Sequence, residues 1–184
     1  MLKGKVSCTP VNPAIGYKTE ASKYSQHDLP GGNRCRIKWD LRQPPCSSAQ
    51  LIESDQTLSD TELAQHATHP PLNTLQIICG VLPFEWPIIA QNPTGVTIAD
   101  VLQAIHQTVM VQIKQNEYDA LSLKQRNRIA QIFDTRWRAS LEPRTIWSFG
   151  VLRVDCLLNH TIFAGLTMTI EGTDACIVSL RRVN

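Results

Sequence analysis

Apolar positions fall at helical spacing in two stretches of the chain and alternate or cluster elsewhere. Ile98, Val101, Leu102, Ile105, Val109 and Ile113 recur every three or four residues, one face of a helix about four turns long. Thr97 is placed to cap it, with Asp100 three residues on and Val96 and Val101 set as a staple. A second helical region spans residues 116–140, with Ile129, Ile132, Phe133 and Trp137 expected as the buried stripe of its long part. Ser122 and Gln125 have the spacing of a capping box and would divide it into a short and a long helix, and Pro143 would end it.

The remaining apolar runs read as strands. Residues 75–79 and 86–90 are rich in β-branched side chains and are parted by Gly80 and Pro83, which predicts an antiparallel pair. Pro87 makes the second strand an edge or delays its start to Ile88. Residues 166–170 and 175–180 flank Gly172-Thr173-Asp174 as a hairpin, and residues 37–42 form a short strand stopped by Pro44-Pro45. Ser59 to Glu62 would start one helical turn. Strands, then helices, then strands predict an α+β fold: a small antiparallel sheet with two or three helices on one face. Residues 1–36, rich in Pro, Gly, Ser, Thr and Lys, are read as a disordered basic leader, and residues 37–184 as a single domain.

The densest apolar run, residues 150–166, is also the oddest. Val151, Val154, Leu157 and Leu158 share a helical face, yet Arg153 and Asp155 are embedded beside them, and Asn159 would close the short helix. Opposite charges in an apolar run must find partners, either each other or Trp39 and Asp40, which would lock the first strand to this last motif. A structural network is expected; a polar pocket floor is its functional alternative.

The pattern G-V-x-R-V-D-x-L-x-x-x-T-x-F-x-G-L at 150–166 resembles the closing motif of a fungal, mainly basidiomycete, family known only as a domain of unknown function. Trp39-Asp40, the A-T-x-P-P element at 67–71 and the V-T-x-x-D-V-L at 96–102 resemble its other motifs, in the same order. The resemblance implies no activity. It implies an aromatic residue, usually Trp, after the motif aspartate, where this chain carries Cys156.

Composition narrows the function classes without choosing one. Of 184 residues, 42% are hydrophobic and 18% charged, enough for a real core, and the net charge of +2 points to no polyanionic partner. No window approaches a membrane span, and no apolar region follows the basic N-terminus as a secretory signal would require. A cytoplasmic protein is expected, with the nucleus not excluded. The six cysteines, at 8, 35, 46, 79, 156 and 176, show no C-x-x-C spacing and read as reduced; three disulfides are the alternative in an exported chain.

Candidate chemistry is sparse. Asp155, Cys156 and His160 would make a thiol, imidazole and carboxylate site, the basis of an alternative reading as a small enzyme. His66 and His69, with Cys46 and Cys79, make a poor zinc set because only one ligand pair exists. Lys124, Arg126, Arg128, Arg136, Arg138, Arg144 and Arg153 form a basic cluster, and Lys124, Arg128 and Arg138 would line one stripe able to face phosphates. That is the nucleic-acid alternative, through residues 124–144. No P-loop, dinucleotide fingerprint, nucleophile elbow or H-E-x-x-H is present.

The leading expectation is therefore a non-catalytic binding or protein-interaction domain, without cofactor or metal and without membrane contact. Its partner would be a protein or a small molecule. The binding residues expected are Trp39, Asp40, Trp86, Trp147, Arg153 and Asp155, with loops near Pro70-Pro71, Pro83 to Trp86 and Trp147 as the contact side.

Overall fold

A computed structural model of the chain describes residues 12, 14–16, 35–169 and 174–183. In order the elements are β1 (Ile37–Lys38), α1 (Pro45–Ser48), β2 (Gln50–Leu51), α2 (Asp60–Leu63), β3 (Thr74–Ile78) and β4 (Ile88–Gln91). Then come α3 (Ile98–Val109), α4 (Gln115–Ala120), α5 (Leu123–Arg138), α6 (Pro143–Ser148), a 3-10 helix (Arg153–Leu157), β5 (Ile162–Met168) and β6 (Ala175–Arg181). The fold is α+β. β1 and β2 form a small antiparallel sheet, and the larger sheet runs β4-β3-β6-β5.

Both expected hairpins form, β3 with β4 and β5 with β6, each antiparallel. They meet at the centre of the sheet through a parallel pairing of β3 with β6, which pattern alone did not announce. A parallel join needs a crossover, and α3 to α6 lie in that connection. Alternation then sorts the faces. Leu75, Ile77, Ile88, Ala90, Cys176 and Val178 point inward, while Ile78, Ile89 and Ile177 stand exposed on the other side.

α3 lies against β4 and also touches α1, α2 and the 3-10 helix. Its capping box forms as the sequence suggests: Thr97 Oγ1 accepts from Asp100 N, and Asp100 accepts from Thr97 N. The helix stops at Val109, one turn short of the expectation. The next backbone groups are taken by the 150s segment instead, with Ile113 N donating to Val151 O and Arg153 N to Val111 O. Ser122 and Gln125 likewise cap α5, and Ser59 and Glu62 cap α2. Pro143 does not end α5, which has already closed at Arg138; it occupies the first turn of α6, where its missing N–H costs nothing.

β1 is shorter than the predicted strand because Trp39 leaves the ladder to enter the core. Its ring lies between His106 and Phe163, at 6.4 and 6.0 Å, and its indole N–H donates to Gln43 O. The backbone of 39–41 meets that of 161–163: Phe163 N donates to Trp39 O and Leu41 N to Thr161 O. The first strand is thus tied to the last motif by main chain, not by Arg153 or Asp155.

Within the expected leader, Ile15 is fully buried, and Leu166 N donates to its carbonyl. Residues 1–11, 13 and 17–34, Cys8 included, and most of the turn expected at 172–174 lie outside the described residues. None of the five described cysteines is in a disulfide, and burial pushes the Cys176 thiol up to about 12. No helix among the described residues is long and apolar enough to cross a membrane.

Candidate functional site

The two charges of the closing motif find separate partners. Asp155 is 1% exposed and accepts from Arg136 of α5 through both oxygens, Nε to Oδ1 and Nη2 to Oδ2, each at 2.8 Å. Leu152 N adds a third bond at 2.8 Å, which closes the 3-10 helix as a cap would. Arg136 Nη2 also donates to Gly150 O. Gly150 has φ +66°, in the left-handed region that favours glycine, and the nearest neighbour a Cβ would meet is the movable end of the Gln112 side chain. Asp155 pairs with neither Arg153 nor Asp40.

Arg153 instead lays its guanidinium over the Trp86 ring, 4.6 Å from the centroid, and Trp86 donates its indole N–H to Glu117 Oε1 at 2.8 Å. The bonds from Trp86 and Lys114 hold the Glu117 carboxyl below its ordinary value. Trp86 is 8% exposed, so this stack joins α4 to the β3–β4 connection as packing. Asp40 is held locally by Arg42, its closest contact 2.6 Å. Burial raises the Asp40 carboxyl, but the bonds and charge of Arg42 outweigh it and leave it below the ordinary value. Trp147 is far more open, 62% exposed on α6, and with Trp137, Pro143, Arg144 and Ser148 lines a shallow apolar hollow of about 540 Å³. The six expected binding residues therefore do not converge on one site.

Cys156 and His160 do share a wall. With Val81, Pro83, Leu121, Ile129 and Leu157 they line a cleft of about 280 Å³ between α5 and the turn that follows the 3-10 helix. No hydrogen bond among the described residues joins Asp155, Cys156 and His160. Asp155 is committed to Arg136, while His160 Nε2 accepts from Arg182 Nε at 3.2 Å. Burial, with the charges of Asp155 and Glu117, pushes the Cys156 thiol up to about 12, so it stays protonated near neutrality.

A second hollow of about 260 Å³ adjoins the first and shares Arg128, Leu158 and His160 with it. Gln131, Ile132, Asn159 and Arg182 complete its lining. One cleft thus runs from an apolar end at Leu121 and Ile129 to a cationic end at Arg128 and Arg182. Among the described residues, no acidic side chain lines either hollow. At their common wall Leu158 has φ 54°, ψ −118°, a conformation costly for a branched side chain. The chain turns here at Leu158, not at Asn159.

Sequence reasoning placed Arg128 on a helix stripe and missed Arg182, Gln131 and the bend at Leu158. Only the positive φ at a leucine marks the bend, and no residue type announces that. The basic cluster is partly spent on structure: Arg136 clamps Asp155, Arg153 stacks on Trp86, and Arg138 pairs with Asp134 at 3.1 Å. For His66 and His69, no group of three or more potential metal ligands occurs among the described residues.

The fold and the cleft define a small α+β domain with an amphipathic groove. The chain belongs to a family of unknown function (DUF6699), whose model matches residues 37–175, from the first residue of β1 to the first of β6. Comparison with curated proteins and with solved structures returns no match.

Proposed function

We propose that this is a non-catalytic binding domain that takes its ligand in the cleft between α5 and residues 156–160. The observation that carries the reading is the cleft's composition: one apolar half, one cationic half and, among the described residues, no acidic residue in either lining. Stored strain at Leu158, on the shared wall, is the kind of feature that gathers at ligand sites. The reading places the protein in a reducing intracellular compartment, where its described cysteines are free thiols. It also keeps the fungal origin that the motif resemblance implies.

Two-dimensional NMR of the labelled protein against a panel of small apolar acids, amines and neutral fragments tests it. Shifts confined to residues 121–132 and 156–160 are expected; shifts centred on Trp147, or none, overturn the cleft. The enzyme alternative has its own check. A thiol pushed up to about 12 is only about one ten-thousandth thiolate at pH 8, so iodoacetamide should label exposed Cys46 long before Cys156 in the folded protein. Fast, stoichiometric labelling of Cys156 would revive the nucleophile.

A second reading is favoured by one observation. Leu141 is 101% exposed and Trp147 and Phe149 are more than half exposed around α6, a surface suited to a protein contact.

A further inference from the structure

Resting on the cleft as the binding site, we propose that its occupant is a short segment of a partner protein. The segment presents a large apolar side chain and, a few residues away, a carboxylate. The apolar side chain enters between Val81, Leu121 and Ile129, and the carboxylate lies between Arg128 and Arg182.

Charge complementarity sets the carboxylate. The Arg128 side chain makes no hydrogen bond or ion pair among the described residues, and the one described bond of the Arg182 side chain is to a ring nitrogen, His160 Nε2. Two guanidinium groups with no facing acid among the described residues suit a planar anion, which each can meet through paired N–H groups. The side chains of Gln131 and Asn159 beside them supply further donors.

The shape sets the peptide. Both hollows are partly open to solvent, so an occupant keeps part of its surface in water. An extended backbone tolerates that because its polar groups are satisfied there. A fatty acid would leave part of its chain wet and lose burial that drives its binding.

The test is a random peptide library displayed on phage and panned against the full chain. The enriched peptides are then synthesised and their affinities measured by fluorescence anisotropy. Expected are sequences with an apolar residue and an Asp, Glu or C-terminal carboxylate a few positions apart. Amidation of that carboxylate, or R128E/R182E in the protein, should weaken binding at least about tenfold, the worth of a charge-assisted contact. Val81 is 43% exposed, so Val81→Asp leaves the fold intact, checked by near-ultraviolet circular dichroism, and should abolish binding from the apolar end.

Peptides that lose affinity with Val81→Asp but ignore R128E/R182E would overturn the carboxylate and leave the cleft standing. Peptides that ignore both would overturn the cleft itself. No enriched peptide, with oleate instead shifting residues 121–132 in the NMR spectrum, would replace the peptide by a small amphiphile. No response to either probe would overturn both.

Discussion

α3 and α5 differ in what they bury. α3 has 12 residues and turns five of them, Ile98, Val101, Leu102, Ile105 and Val109, fully into the main core. α5 has 16 residues and buries Ile129 alone. Around Ile129 stands a small separate cluster, Trp86, Ile113, Leu121 and Cys156, and Leu123, at the helix start, is 68% exposed. What α5 lacks in apolar area it recovers through the Arg136–Asp155 clamp and the bond from Tyr118 Oη to Arg126 O. One helix is held by area, the other by a desolvated ion pair. Area is forgiving and non-directional, whereas the ion pair fixes one position for the helix and fails abruptly if either partner goes. A wall that must stand at a fixed distance from the 156–160 turn suits the second kind of fastening.

The sharpest way to break this contrast is Asp155→Ala. It leaves Arg136, only 17% exposed, without a countercharge, and should cost about 3–5 kcal/mol by urea denaturation. Native-state hydrogen exchange should show α5 amides losing protection ahead of α3 amides. Equal loss in both helices would mean that they open as one unit. Ile129→Ala comes next, at about 2–3 kcal/mol, the low end for a buried aliphatic because the cleft beside it lets the site relax.

The smallest effect belongs to α3. Burial pushes the Asp100 carboxyl up, but bonds from Asn92 and Thr97 outweigh that and hold it below its ordinary value. Stability from a depressed carboxylate is present above its unfolded pKa, about 4, and is lost as pH falls through the lower folded value. Asp100→Ala should therefore cost about 1 kcal/mol at pH 7, with the gap from wild type closing in acid. A gap that persists at pH 2 would assign the cost to packing.

Local features were legible. Three capping boxes, the strand start after Pro87 and both hairpins follow from residue types within a few positions of one another. The demand that Asp155 find a partner was also legible, because an aspartate cannot sit in an apolar run uncompensated. Its partner was not. Arg136 lies 19 residues earlier, across α6 and two turns, and nothing local distinguishes it from Arg126, Arg128 or Arg138. Trp86 illustrates the same limit: a proline-flanked tryptophan reads as an exposed loop anchor until Arg153 and Glu117 close over it. The cleft was least visible, since its linings come from four separate stretches and its bend from one leucine in an unusual conformation.

The parallel pairing at the centre of the large sheet also bears on how the protein leaves the ribosome. Gln76 sits opposite Ala175, so 99 residues of synthesis separate the two partners. At roughly 5–20 residues per second, the β3–β4 hairpin waits about 5–20 s with one edge open. That edge belongs to Thr74–Ile78, an apolar strand able to pair with a stranger. Ribosome-associated chaperones would thus meet this chain with an unpaired β3 edge exposed, and β6 seals it.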